Sequence, residues 1–207
     1  MQNPQGDDVV PVRVHKKGIR AFGVVESFVK GRSKHSVVAG VVMRAEGVLD
    51  GFAFATVEVG GMDATKRIYA MFDSLNRDDV NLVLLNGCII SWFNVIDLHH
   101  LTAATGLPVL CVTYDASEGL ERYFKEYFPD DWQRRVAVYR KNGPRTPLTL
   151  RTGHVVYARF LGLSEAEART VLNKFTVFGS IPEPLRVARL IARSLMRSAL
   201  TEEREAK

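Results

Sequence analysis

The chain is short of most features that announce a function. It has only two cysteines in 207 residues. Cys88 and Cys111 lie in apolar surroundings at no zinc or redox spacing, so they read as small buried hydrophobes, not a disulfide framework. No apolar run is both long enough and free enough of charge to cross a membrane as a helix. Met1 to Asp8 lack an apolar signal core, and the expected compartment is the cytoplasm. There is no Walker loop and no Gly-x-Gly-x-x-Gly opening a helix, and Gly60-Gly61 alone is a weak phosphate-loop signal. His99 and His100 are adjacent, so they cannot share one helix face as paired zinc ligands do. Internal repeats, low-complexity tracts and domain linkers are missing too.

What is present suits one soluble domain. A chain that is 46% hydrophobic and 25% charged can bury a substantial core. A net charge of +5 favours an acidic partner such as nucleic acid, although many basic proteins have none. The expected organisation is a flexible leader over residues 1–12 and a single domain over 13–207. The oligomeric state is open, and a homo-oligomer is compatible with everything read here.

The periodicity changes along the chain. IRAFGVVE (Ile19 to Glu26), SVVAGVVMR (Ser36 to Arg44) and VLDGFAFATVEV (Val48 to Val59) are apolar, β-rich runs joined by short connections, which predicts an antiparallel meander. After Gly60-Gly61, Ile68, Met71, Phe72 and Leu75 fall at helical spacing, with Asp63 or Thr65 as candidate caps. Leu82 to Leu85 (strand), Val95 to Thr105 (helix) and Pro108 to Thr113 (strand) follow, then a helix over Glu118 to Tyr127. Short-linked strand–helix–strand units imply parallel strands with right-handed crossovers. RKNGPRTP (Arg140 to Pro147) reads as a loop and Val155 to Leu161 as a further strand. Ser164 to Glu167 is a capping box for a helix through Phe175, and Ile181-Pro182-Glu183-Pro184 opens the last helix. The predicted class is α/β with helices on both faces of a mixed sheet. A three-stranded antiparallel meander followed by parallel β-α-β units is the order of the ribonuclease H-like fold. In that order Glu26 and Asn86 end neighbouring strands, at the sheet's working edge.

GIRAFGVVESF, VVAGVVMR, DGFAFATVEVGGMDAT, VLLNGCIISWFNVID, TGLPVLCVTY and GSIPEPLRVARLIA together resemble an archaeal family of unknown function described as endonuclease V-like. The resemblance covers about Gly18 to Met196. It implies magnesium held by carboxylates at strand ends, where a hard cation takes oxygen ligands and substrate phosphate completes the shell. It also implies DNA or RNA as partner. Carried over, the first acid position falls on Val25, with Glu26 one step on. The strand-end aspartate falls on Asn86. The helix carboxylate falls near Lys66 or Arg67, with Asp63 the nearest acid. A one-residue shift turns a strand side chain to the other face, so Glu26 replaces Val25 only through a local bulge.

The candidate catalytic set is therefore Glu26, Asp63 and Asn86, with Glu26 and Asn86 as candidate metal ligands and weak Mg2+ binding expected. Each has a bland reading: a solvated strand-end acid, a helix cap, and a turn residue before Gly87. Trp92, which could stack on a base, and Asn94 are candidate nucleic-acid contacts; core packing is the competing role. Arg186, Arg189, Arg193 and Arg197 share a stripe of roughly 80° on the last helix, opposite Leu185, Ala188, Ile191, Ala192 and Leu195. They are candidate phosphate contacts or a solvated cationic face. The leading expectation is nucleic-acid binding with absent or weak nuclease activity. The alternatives are a magnesium-dependent nuclease on inosine-containing strands using Glu26, Asp63 and Asp97, and a protein-interaction module on an inherited scaffold.

Overall fold

The computed structural model describes residues 12–31 and 33–205. The leader expected over residues 1–12 lies, apart from Val12, outside the described residues. The meander forms as β1 (Arg20–Ser27), β2 (His35–Arg44) and β3 (Leu49–Glu58), antiparallel throughout. Helix α1 (Ala64–Asp73) leads to β4 (Leu82–Asn86). A small hairpin, β5 (Ile89–Ile90) and β6 (Asn94–Val95), precedes α2 (Leu98–Thr105) and β7 (Val109–Thr113). Then come α3 (Glu121–Tyr127), α4 (Trp132–Lys141), β8 (Thr146–Thr149), β9 (Val155–Leu161), α5 (Glu165–Phe175) and α6 (Glu183–Glu205).

One seven-stranded sheet runs β3-β2-β1-β4-β7-β9-β8. β1, β4 and β7 are parallel neighbours, with Val24 paired to Leu85, so Glu26 and Asn86 do lie at the same edge. β9 and β8 add an antiparallel flank. The architecture is ribonuclease H-like.

Period-two alternation divides the core by face. Ala21 and Val25 of β1 with Leu82 and Leu84 of β4 pack under α5 and α6, against Val171, Phe175, Leu185 and Ala188. Phe22, Val24, Val83 and Leu85 pack on the other side under α1 and α2, against Ile68, Met71, Leu98 and Leu101. The first turn of α6 crosses β1 so closely that a Cβ on Gly23 would sit 2.6 Å from the Pro184 Cβ. Glycine is required there by space, and it fixes where the arginine stripe of α6 begins. At the amino edge of the sheet, Asp50 bonds both Arg44 and Arg20, and these bonds hold its carboxyl down at about 2.

Candidate nucleic-acid interface

The pairing of β1 with β2 runs without a register shift through Val25, Glu26 and Ser27. No bulge turns Glu26, so it stays on the α1 face with Phe22 and Val24, while Val25 is buried beneath α6. On β4, Asn86 follows Leu85 onto the α6 face, where its Oδ1 accepts from Arg189 Nη2 at 3.1 Å. The structure therefore brings Val25 and Asn86 to one face and leaves Glu26 and Asp63 on the other. The expected ligand pair Glu26 and Asn86 is split by the sheet.

The α6 face of the carboxyl edge is cationic. Tyr114, just beyond β7, joins it: burial pushes its phenol up to about 12 against the fields of Arg189 and Arg186, and its hydroxyl has no partner among the described residues. Sequence reasoning missed Tyr114, whose only signal was its place after the strand PVLCVT. The four arginines of the stripe on α6 are not equivalent. Arg186 is half-buried, stacked 4.2 Å over Phe178, paired with Glu183 and bonded to the carbonyls of Phe178 and Ile181. That local use is how it departs from the expected stripe of phosphate contacts. Arg189 reaches Asn86, and Arg193 and Arg197 stand exposed, with no carboxylate in ion-pair range among the described residues.

On the α1 face, Ser91, Trp92 and Phe93 adopt φ values of 48°, 57° and 66°, three successive left-handed residues without glycine. Such conformations cost about 1–2 kcal/mol each and persist only where surrounding contacts fix them. Here Gly60 donates to the Ser91 carbonyl at 2.7 Å, the Ser36 and Ser91 hydroxyls are bonded, and buried Arg135 donates to the carbonyls of Gly60, Gly61 and Phe93. Glu26 lies beneath this turn. Burial raises its carboxyl to about 7, against a bond from the Ser91 backbone N–H, and its buried Oε2 has no partner among the described residues.

The turn's side chains are largely committed. Trp92 packs on Phe93 and Tyr127, with the Lys30 ammonium 3.8 Å over its ring. Asn94 is fully buried: Oδ1 accepts from Ala64 N–H, and Nδ2 donates to the Glu58 carbonyl and to Asp63 Oδ1 at 2.7 Å. Asn94 is thus a staple between β6 and the start of α1, and its full burial puts it out of reach of a nucleic acid. Asp63 takes the N-cap position of α1 but spends Oδ1 on Asn94 and the Glu58 N–H. Asp97 caps α2 through His100 N–H and pairs with Lys141.

These donors do not fit the two-carboxylate magnesium site that the resemblance implies. Asn86 Oδ1 already accepts from a guanidinium, which would repel a cation, and Glu26 opens on the far face. Among the described residues no group of three His, Cys, Asp or Glu side chains is placed to hold a metal ion.

The profile of a protein family described as "Endonuclease dU" matches residues 17–196. The chain belongs to the endonuclease dU family. Consistent with that membership, the UPF0215 protein of Pyrobaculum aerophilum is 39% identical over 172 residues, covering 83% of this chain and 91% of that one. Among solved structures, an Archaeoglobus fulgidus protein of unknown function superimposes with a TM-score of 0.75 at 23% identity, covering 86% and 98% of the two chains. Ciona intestinalis endonuclease V in complex with inosine-containing DNA gives a TM-score of 0.58 at 15% identity, covering 88% of each chain. The family is endonuclease V-like in fold.

Proposed function

We propose that the protein binds nucleic acid across the carboxyl edge of its sheet through Arg189, Arg193 and Arg197, with metal-dependent strand cleavage weak or absent. The observation that carries the reading is the Asn86–Arg189 contact beside buried Val25: on the α6 face of the edge a guanidinium meets a neutral amide, which suits phosphate and opposes Mg2+. The family's description supports deoxyuridine-containing DNA as the substrate class, and the DNA-bound relative supports a deaminated strand more generally. Any magnesium bound would be held weakly.

A second reading, an active endonuclease, is favoured by Glu26. A buried carboxyl raised to about 7, with one oxygen unpartnered among the described residues, is poised to give or take a proton near neutral pH.

Arg193→Ala with Arg197→Ala tests the binding surface, because both side chains are exposed. The double variant is expected to weaken duplex binding by roughly ten- to a hundredfold, measured by fluorescence anisotropy, with an unmoved melting temperature. Unchanged affinity would remove α6 from the interface.

A further inference from the structure

A cleft of about 1050 Å³ opens on the face of the sheet away from α6, between the loop after β7, the amino end of α3 and the end of α4. Arg159 of β9 is at its floor. This arginine is only 7% exposed, and no carboxylate lies in ion-pair range of it among the described residues. Its Nε donates to the Gly143 carbonyl at 2.7 Å, and Nη1 has only a soft acceptor, Cys88 Sγ, at 3.4 Å. Nη2 has no protein partner among the described residues and is not sealed from solvent, so it is presented to the cleft.

A buried guanidinium without a carboxylate is costly unless an anion completes it. The lining also holds Glu118 and Glu121, the latter paired with Arg140, beside two further cations, Arg122 and Arg145. Arg145 spends its donors on neutral oxygens, Thr113 Oγ1 and the carbonyls of Asp115 and Ser117, with no carboxylate in ion-pair range among the described residues. Tyr139 packs beside the Arg159 guanidinium at 4.9 Å, and Tyr123 carries the Arg122 guanidinium 4.6 Å over its ring. Planar aromatic surface beside arginine is what a nucleobase stacks on, and the volume suits a nucleotide better than a bare ion.

We propose that this cleft is a phosphate-ester site, with Arg159 as the anion contact at its floor and Tyr139 and Tyr123 as the wall for the attached base. The ester belongs to a nucleic-acid strand or to a free nucleotide, two sources with the same recognition chemistry. The site is on the opposite face from α6 and stands whether or not the α6 edge binds nucleic acid.

The experiment is an NMR titration of the full-length 15N-labelled protein with thymidine 5′-monophosphate, with thymidine, and with a short single-stranded oligonucleotide. The monophosphate is expected to shift the amides of Gly119 and Gly143 saturably, and thymidine to leave them in place. Arg159→Met should weaken the monophosphate at least about tenfold, the loss expected for one charge-assisted contact. If that variant fails a melting test, Arg122→Ser with Tyr123→Ser at the rim carries the question, and should weaken binding severalfold. An oligonucleotide bound at least about tenfold tighter than the monophosphate, and sensitive to the same variants, makes the source a strand; parity makes it a free nucleotide. No saturable shift in the cleft with either phosphate probe, or shifts indifferent to the folded variant, overturns the site. Arg193→Ala with Arg197→Ala should leave the monophosphate titration unchanged, which separates this result from the α6 reading.

Discussion

Raising the pH from about 4.5 to about 7 is expected to cost the protein on the order of 3 kcal/mol of stability that Glu26→Gln retains. The cause is burial: Glu26 sits under the left-handed turn, where desolvation disfavours its charged form. The unfolded chain binds this proton only below about 4.5, whereas the folded chain keeps it up to about 7. Between those values the folded state holds more protons, and stability falls as pH rises through the window. The full contribution is present below the lower value and lost above the upper one. Glutamine imitates the protonated acid, keeping an oxygen for the Ser91 N–H without a charge to bury. Urea denaturation of both proteins across this range reads the effect. Parallel curves would mean that Glu26 is solvated, and the proton-poised role would go with it.

Affinity for duplex DNA is expected to fall about 40-fold between about 50 and 200 mM salt, a log–log slope near −2.7. That slope counts three phosphate contacts, Arg189, Arg193 and Arg197. Arg186 is left out because Glu183, Phe178 and Ile181 already use it. In the Arg193→Ala, Arg197→Ala variant the slope should flatten toward about −0.9. Anisotropy titrations over the salt series measure both. A slope near −3.6 would return Arg186 to the interface, and a slope near zero would take phosphate out of the account.

Periodicity made the fold legible wherever a segment was long. The meander, the parallel β1–β4–β7 core and the capping box at Ser164 follow from alternation and turn chemistry in the sequence. Shorter or unusual elements stayed hidden. The β5–β6 hairpin has two residues per strand and turns through Ser91–Phe93 in a conformation that no glycine announces. Helix α4 is rich in polar residues, and only Arg135 and Val136 are buried on it, so its helical stripe was too thin to read. β8 lay partly inside the segment read as a loop, because Pro147 suggests a breaker and is tolerated on this outermost strand.

The site was legible in part. Period two alone set Glu26 and Val25 on opposite faces, and the unbroken β1 register excludes the bulge that could have reversed them. The long-range partners were out of reach of sequence. Nothing in the local residues says that Arg189 meets Asn86 across 103 positions, or that Asn94 is spent on Asp63 and Ala64. Arg159 was equally silent, since a lone arginine within an apolar strand carries no local sign of a cleft.

The central claim is that the carboxyl edge grips nucleic acid without a built metal site. Its most direct test is a single-turnover assay with protein in excess over strands carrying deoxyuridine or inosine, in saturating Mg2+, with binding and cleavage read from the same samples. The expected result is a shifted, salt-sensitive complex and strands that stay intact. Magnesium-dependent cutting of the deoxyuridine strand, abolished by Glu26→Gln and left in place by Arg193→Ala with Arg197→Ala, would contradict it and move the active centre to the α1 face.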